Sequence, residues 1–174
     1  MRVYLLGYMG SGKSTLGPKV ADELSIPFYD LDDVFEERYR ISINDFFSKY
    51  GEKYFRDIEH ALLLELTKQE EFLLATGGGT PCYYNNLDFM KLHGITVYLR
   101  LPFEVLIERL MSSQKKRPVI GGVQDDDFYS HIREHLETRE LFYLRSDLII
   151  GSGSLDPGMI AGMIRERTIW SGGV

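Results

Sequence analysis

The sequence predicts an α/β fold: a five-stranded, largely parallel sheet with helices on both faces. Two observations carry this. Short aliphatic or β-branched runs at 3–6, 28–30, 72–75, 95–101 and 147–150 alternate with helical stretches near 14–24, 33–40, 43–49, 52–69, 102–111, 126–144 and 157–167. Strands interleaved with helices need crossover connections, which make the strands parallel and cover both faces of the sheet.

At 174 residues the chain is expected to be one domain, 1–174, large enough to bury a core. No repeat, low-complexity tract or linker divides it. Hydrophobic residues at 44% and charged residues at 26% are ordinary for a soluble globular protein. The net charge of −6 argues against sequence-independent nucleic-acid binding, which needs a basic face. It also makes any cluster of cations a local device. The single cysteine, Cys82, forbids an intrachain disulfide and fits a reducing compartment; it reads as a small filler in a loop rather than a nucleophile. The N-terminal stretch lacks the features of a secretory signal, and no apolar run approaches the roughly 20 residues that span a bilayer. A cytoplasmic protein with neither nucleic acid nor membrane as a partner is expected.

The first strand runs into "GYMGSGKST" at 7–15, which fits G-x-x-x-x-G-K-[ST] in full, with a strand before it and a helix after it. Glycines there let successive amides converge on phosphate oxygens at the positive end of the helix. Gly10, Ser11, Gly12, Lys13, Ser14 and Thr15 are therefore nucleotide-binding candidates. Lys13 can reach the β- and γ-phosphates, and the Ser14 hydroxyl can ligate Mg²⁺. The next strand ends in "YDLDD" at 29–33. In an extended segment Asp30 and Asp32 point to one side. One carboxylate could then organise Mg²⁺ while the other takes a proton from an acceptor hydroxyl. Asp33 reads as a helix cap.

In the helix near 52–69, Phe55, Ile58, Leu62 and Leu66 make a buried stripe. Arg56 and Glu59 lie one turn apart on its flank, close enough to pair. The strand at 72–75 leads into "TGGGTP". A tight turn explains one or two of Gly77, Gly78 and Gly79; three would let a ligand approach the backbone closely. The stretch "SSQKKRPVIGGVQDDD" at 112–127 is long and polar for a connection in a compact domain, and is expected to be a mobile lid or binding loop. In the helix near 126–144, Phe128, Ile132, Leu136 and Tyr143 form an apolar arc, with Glu134, Glu137 and Glu140 facing away. Arg139 falls inside that arc. Either it reaches solvent, or it meets an anion on the inward face.

The ordered set "GYMGSGKST", "DLD", "FRDIE", "GGG", "RP" and "TRELFY" resembles the shikimate kinases, a branch of the nucleoside-monophosphate-kinase-like P-loop proteins, over nearly the whole length. The resemblance implies a three-layer P-loop kinase fold with a lid at about 112–127 and an acceptor-binding helical region at about 31–60. It implies Mg²⁺-assisted transfer of the ATP γ-phosphate to the 3-hydroxyl of shikimate, by a monomer, in chorismate and aromatic amino-acid biosynthesis. By the same resemblance Lys13 and Ser14 hold phosphate and magnesium, Asp30 is the acid near the metal, and Asp32 binds the acceptor hydroxyls and acts as base. Arg56 and Arg139 hold the shikimate carboxylate beside Gly77, Gly78 and Gly79. Glu59 braces Arg56, Phe47 and Phe55 line the pocket, and Arg117 closes over the transferring phosphate. Arg109, one position from the family's stacking arginine, and Pro157 in "SLDPG" fall on the adenine side. The chain departs from the pattern at Glu140 and Phe142, where Pro-Leu is expected, and in a lid reading "RPVIGG".

Other readings share the phosphate loop. A gluconate or nucleotide kinase should lack the paired "DLD" and "GGG" with an arginine on each of two helices. An inactive nucleotide-binding module would usually have lost Lys13, Asp32 or Arg117, and a GTPase needs an Asn-Lys-x-Asp motif that is missing here.

Overall fold

The computed structural model describes residues 1–114, 125–151 and 156–171. In chain order the elements are β1 (Arg2–Leu6), α1 (Lys13–Leu24), β2 (Phe28–Asp30), α2 (Leu31–Tyr39), α3 (Ile43–Tyr50), α4 (Glu52–Leu66) and β3 (Phe72–Ala75). There follow a 3₁₀ turn (Thr80–Cys82), α5 (Asn86–His93), β4 (Ile95–Arg100), α6 (Phe103–Gln114), α7 (Asp125–Tyr143), β5 (Leu148–Gly151) and α8 (Pro157–Ser171). The strands form one parallel sheet in the order β2-β3-β1-β4-β5. This order sets the turns after β2, β3 and β1 side by side along the carboxyl edge of the sheet, where open α/β folds place their ligands.

Strand alternation builds the three layers. On β1, Tyr4 and Leu6 face one side, with Phe72, Leu74 and Tyr98, and pack against Phe55, Leu62, Met90, Ile132 and Tyr143 of the helices there. Val3 and Leu5 face the other side, with Leu73, Val97 and Ile150, against Val20 of α1 and Ile160 and Ile164 of α8. Both faces are apolar over β1, β3 and β4, which read as near-continuous apolar runs. Gly17 permits the close seating of α1, because a Cβ there would lie 2.4 Å from the Phe28 ring.

Two departures from the sequence expectation are informative, beyond shifts of up to four residues at other element ends. Helix α5 was not expected. It begins after Asn85, a residue at φ 54° with no side-chain cap, and buries only Asn86, Leu87 and Met90. Helix α2 starts at Leu31 rather than 33, because Asp30 is its cap: the Asp30 side chain accepts from the Asp32 amide at 3.1 Å. The capping role expected of Asp33 thus belongs to Asp30, and Asp32 stands in the first helical turn instead of an extended segment.

Candidate active site

The phosphate loop is built by glycines in conformations that other residues resist. Gly10 and Gly12 sit at φ 78° and 96°, and Ser11 N donates to Tyr8 O at 3.1 Å to close the turn. Gly12 caps α1 without a side chain, leaving first-turn amides for a ligand. Lys13 Nζ folds back onto the loop, donating to Gly7 O at 2.7 Å and Tyr8 O at 3.1 Å. Burial lowers its pKa to about 8, against the pull of Asp32 and Asp30 and with the help of Arg139.

A cleft of about 870 Å³ opens over this loop, lined by Gly10, Ser11, Gly12, Lys13, Ser14 and Thr15, and by Asp30, Asp32 and Arg109. Arg109 comes from α6 and donates to Gly10 O at 3.2 Å. Pro157 opens α8 and is not among the residues lining this cleft. Arg117, with positions 115–124, lies outside the described residues.

At its inner end the cleft meets a second of about 640 Å³; both are lined by Met9, Ser14, Asp30, Asp32 and Gly78. Ser14 Oγ donates to Asp30 Oδ2 at 2.6 Å at this junction. Two hard oxygens so close suit a small divalent cation such as Mg²⁺. Among the described residues no cluster of three or more His, Cys, Asp or Glu could hold a metal. Asp32 is open to the cleft yet ringed by protein. Its pKa is raised to about 6 by desolvation first and then by Asp30 and Glu59, with Lys13 and Arg56 opposing. Water in the open cleft tempers the desolvation.

The second cleft gathers Asp32, Phe47, Phe55, Arg56, Glu59, Gly77, Gly78, Gly79 and Arg139. All nine residues expected on the acceptor side therefore line one cavity. Arg56 and Glu59 are only 7% and 2% exposed, so the flank of α4 is as buried as its stripe. Arg56 Nη1 donates to Glu59 Oε2 at 2.8 Å, and Glu59 Oε1 accepts from Thr80 Oγ1 at 2.6 Å. The glycine turn makes room for these side chains. A Cβ on Gly77 would lie 2.6 Å from Glu59 Oε1, one on Gly78 3.3 Å from Arg139 Nη1, and one on Gly79 2.5 Å from Arg56 Nη2. Charged groups of the protein itself, as much as any ligand, account for three glycines.

Arg139 is carried by α7, which the Tyr143 hydroxyl fastens to the glycine turn by donating to Gly78 O. Phe128, Ile132, Leu136 and Tyr143 are buried beneath it, as expected. Glu140 does not face away: it accepts from Tyr98 OH at 3.0 Å and Arg100 Nε at 2.9 Å. Half-buried Arg139 makes no hydrogen bond or ion pair among the described residues. A half-buried guanidinium in that position can receive an anion. Cys82 behaves as filler, its pKa raised to about 11 by burial.

Sequence reasoning missed Glu52 and His135, which also line this cleft. Glu52 is one turn before Arg56, and His135 one turn before Arg139; that spacing was the available signal. His135 Nδ1 lies 2.7 Å from the Tyr8 hydroxyl, tying α7 to the phosphate loop.

A phosphate loop on the central strand, a carboxylate-bearing turn beside it and an adjoining cleft with basic side chains define a small-molecule P-loop phosphotransferase. A family model described as shikimate kinase matches residues 9–168. The shikimate kinase of Bacteroides thetaiotaomicron is 39% identical over 156 residues, 90% of this chain and 89% of its own. The solved structure of shikimate kinase from that organism superposes with a TM-score of 0.84 at 37% identity, over 98% of this chain and 97% of that one. One from Acinetobacter baumannii in complex with shikimate superposes with a TM-score of 0.82 at 32% identity, over 98% and 93%. The chain belongs to the shikimate kinase family.

Proposed function

We propose that the protein transfers the γ-phosphoryl group of ATP to the 3-hydroxyl of shikimate, giving shikimate 3-phosphate and ADP, a step of chorismate and aromatic amino-acid biosynthesis. One observation carries this reading above others. An arginine with no hydrogen bond or ion pair among the described residues and a braced second arginine line a single cleft, which opens onto the phosphate loop at Ser14, Asp30 and Asp32. An acceptor that bears a carboxylate at one end and a hydroxyl at the other fits that polarity.

The loop amides and Lys13 bind the β- and γ-phosphates, with Lys13 exchanging Gly7 O and Tyr8 O for phosphate oxygens. Ser14 and Asp30 would hold Mg²⁺, which supplies charge neutralisation at the phosphate oxygens when bound. Asp32 orients the acceptor hydroxyl and takes its proton as the phosphoryl group arrives. Arg56 and Arg139 fix the acceptor carboxylate by charge-assisted hydrogen bonds, with Phe47 and Phe55 as apolar walls. The region at about 31–60 is the acceptor-binding part of the domain. Arg109 borders the nucleotide, and Arg117 closes over the transferring phosphate. The protein is read as a monomer, and a single half-buried cysteine supports a cytoplasmic setting. No described helix is long and apolar enough to cross a membrane.

A coupled ADP-release assay with shikimate, gluconate and nucleoside monophosphates as separate acceptors tests the reading. Turnover with shikimate is expected; turnover with gluconate or a nucleotide, and none with shikimate, would overturn it.

A further inference from the structure

The acceptor cleft contains a carboxylate that the proposed chemistry does not use. Glu52, in the first turn of α4, sets Oε1 at 3.2 Å from Arg56 Nε and 3.0 Å from Arg56 Nη2. This is the edge of the guanidinium that presents two adjacent N–H groups, the edge best suited to a substrate carboxylate. The Tyr83 hydroxyl donates to the same oxygen at 3.0 Å. In the open site, then, the fork of Arg56 is already filled, while Arg139 has no such partner among the described residues.

Arg56 has supports besides Glu52. The guanidinium lies against the Gly79 backbone, its carbon is 4.6 Å from the Tyr83 ring centroid and 5.1 Å from that of Phe55, and Glu59 holds Nη1. Glu59 is itself fixed by Thr80. Glu52 differs in freedom: its side chain is 50% exposed, against 2% for Glu59. One carboxylate is a permanent brace, and the other can swing into water.

We infer that Glu52 is an exchangeable counter-anion, which occupies the fork of Arg56 in the open site and yields it to the carboxylate of the acceptor. The inference rests on the acceptor proposed above. Glu59 already pairs with Arg56, and Glu52 satisfies the remaining Nε and Nη2 donors, which would otherwise stand without a partner between turnovers. An incoming carboxylate meets Arg139 first and then replaces Glu52 at Arg56. A ligand without a carboxylate leaves Glu52 where it is and gains nothing from Arg56. Glu52 thereby lowers acceptor affinity while sharpening selection for a carboxylate.

The test is calorimetric titration of shikimate, of its analogue with the carboxylate reduced to an alcohol, and of ADP, against wild type, Glu52→Gln, Glu52→Ala and Tyr83→Phe, with melting temperatures as a control. Gln keeps the shape and one acceptor, so folding is retained. Both Glu52 variants are expected to bind shikimate about 1.5- to fivefold tighter, as the loss of a half-exposed competing ion pair implies. Tyr83→Phe should move the same way by less, and the gain should appear in KM. Affinity for the alcohol analogue and for ADP should not rise. Weaker shikimate binding by a folded Glu52→Gln would show that Glu52 positions Arg56, and unchanged binding would show that both carboxylates share it; either result overturns this inference alone. A wild type that binds no shikimate overturns the acceptor reading and this inference with it.

Discussion

Gly79→Ala isolates the steric role of the glycine turn. Gly79 sits at φ −92° and ψ −19°, a conformation open to alanine, so the backbone is not strained by the change. The added Cβ would lie 2.5 Å from Arg56 Nη2 and 2.7 Å from both Cζ and Nη1. Ordinary contact needs about 3.5 Å, so the guanidinium must move by about 1 Å. Such a shift breaks the 2.8 Å bond to Glu59 and carries Arg56 off the position an acceptor carboxylate requires. Overpacking of this kind costs about 1–3 kcal/mol of stability, and a lost charge-assisted hydrogen bond about 1.5–3 kcal/mol of binding. Shikimate affinity should therefore fall about 10- to 150-fold, while ADP affinity holds. Gly162→Ala in α8, where a Cβ meets nothing within 4 Å, is the matched control and should change neither affinity. Calorimetric titration of each ligand, with a melting curve for each variant, decides the matter. Wild-type shikimate affinity in a folded Gly79→Ala protein would refute the reasoning, as would equal losses for both ligands.

Asp32→Asn keeps size and one acceptor oxygen but cannot take a proton, so turnover should fall by roughly 10²–10⁴; an effect confined to KM would leave Asp32 only an orienting role. Arg139→Lys should recover only part of the acceptor affinity lost in Arg139→Ala, because an ammonium lacks the planar fork; full recovery by titration would show that charge alone suffices. Asp147 accepts from Thr96 N at 3.0 Å, Thr96 Oγ1 at 2.7 Å and Lys91 Nζ at 3.0 Å, and although burial pushes its carboxyl upward, these partners hold it below the usual carboxylate range. Its stabilisation is thus present above the unfolded-state pKa and lost as pH falls through the lower folded-state value. Asp147→Asn should cost about 1–2 kcal/mol in urea unfolding at neutral pH, and the difference from wild type should shrink in that acid range; a constant difference would contradict the charge argument.

What could be read from the sequence was local. The phosphate loop is a contiguous pattern whose chemistry follows from backbone geometry, and the strands buried on both faces announce themselves as apolar runs. Arg139 was legible because it interrupts an apolar arc, and Arg56 with Glu59 because helical spacing brings them together. Helix α5 was not legible: eight residues with three buried side chains and no capping side chain leave little periodicity to detect. Asp30 as the cap of α2 was hidden because three adjacent candidates, Asp30, Asp32 and Asp33, compete for one role. The occupation of Arg56 by Glu52, the crowding of charged side chains onto Gly77–Gly79 and the bond from Tyr8 to His135 arise only when distant segments meet. Glu140 faces inward for the same reason, since its partners Tyr98 and Arg100 lie on β4.

In the proposed function two adjoining clefts divide the labour, phosphate on one side and the acceptor carboxylate on the other. Separate titrations of an ATP analogue and of shikimate against Lys13→Met and Arg139→Ala test this most directly. Lys13→Met should lose nucleotide affinity and keep shikimate affinity. Arg139→Ala should do the reverse, with shikimate binding weakened about 10- to 150-fold for the loss of one charge-assisted partner. If Arg139→Ala loses the ATP analogue and keeps shikimate, the arginine serves the nucleotide and the acceptor site has been put in the wrong cleft.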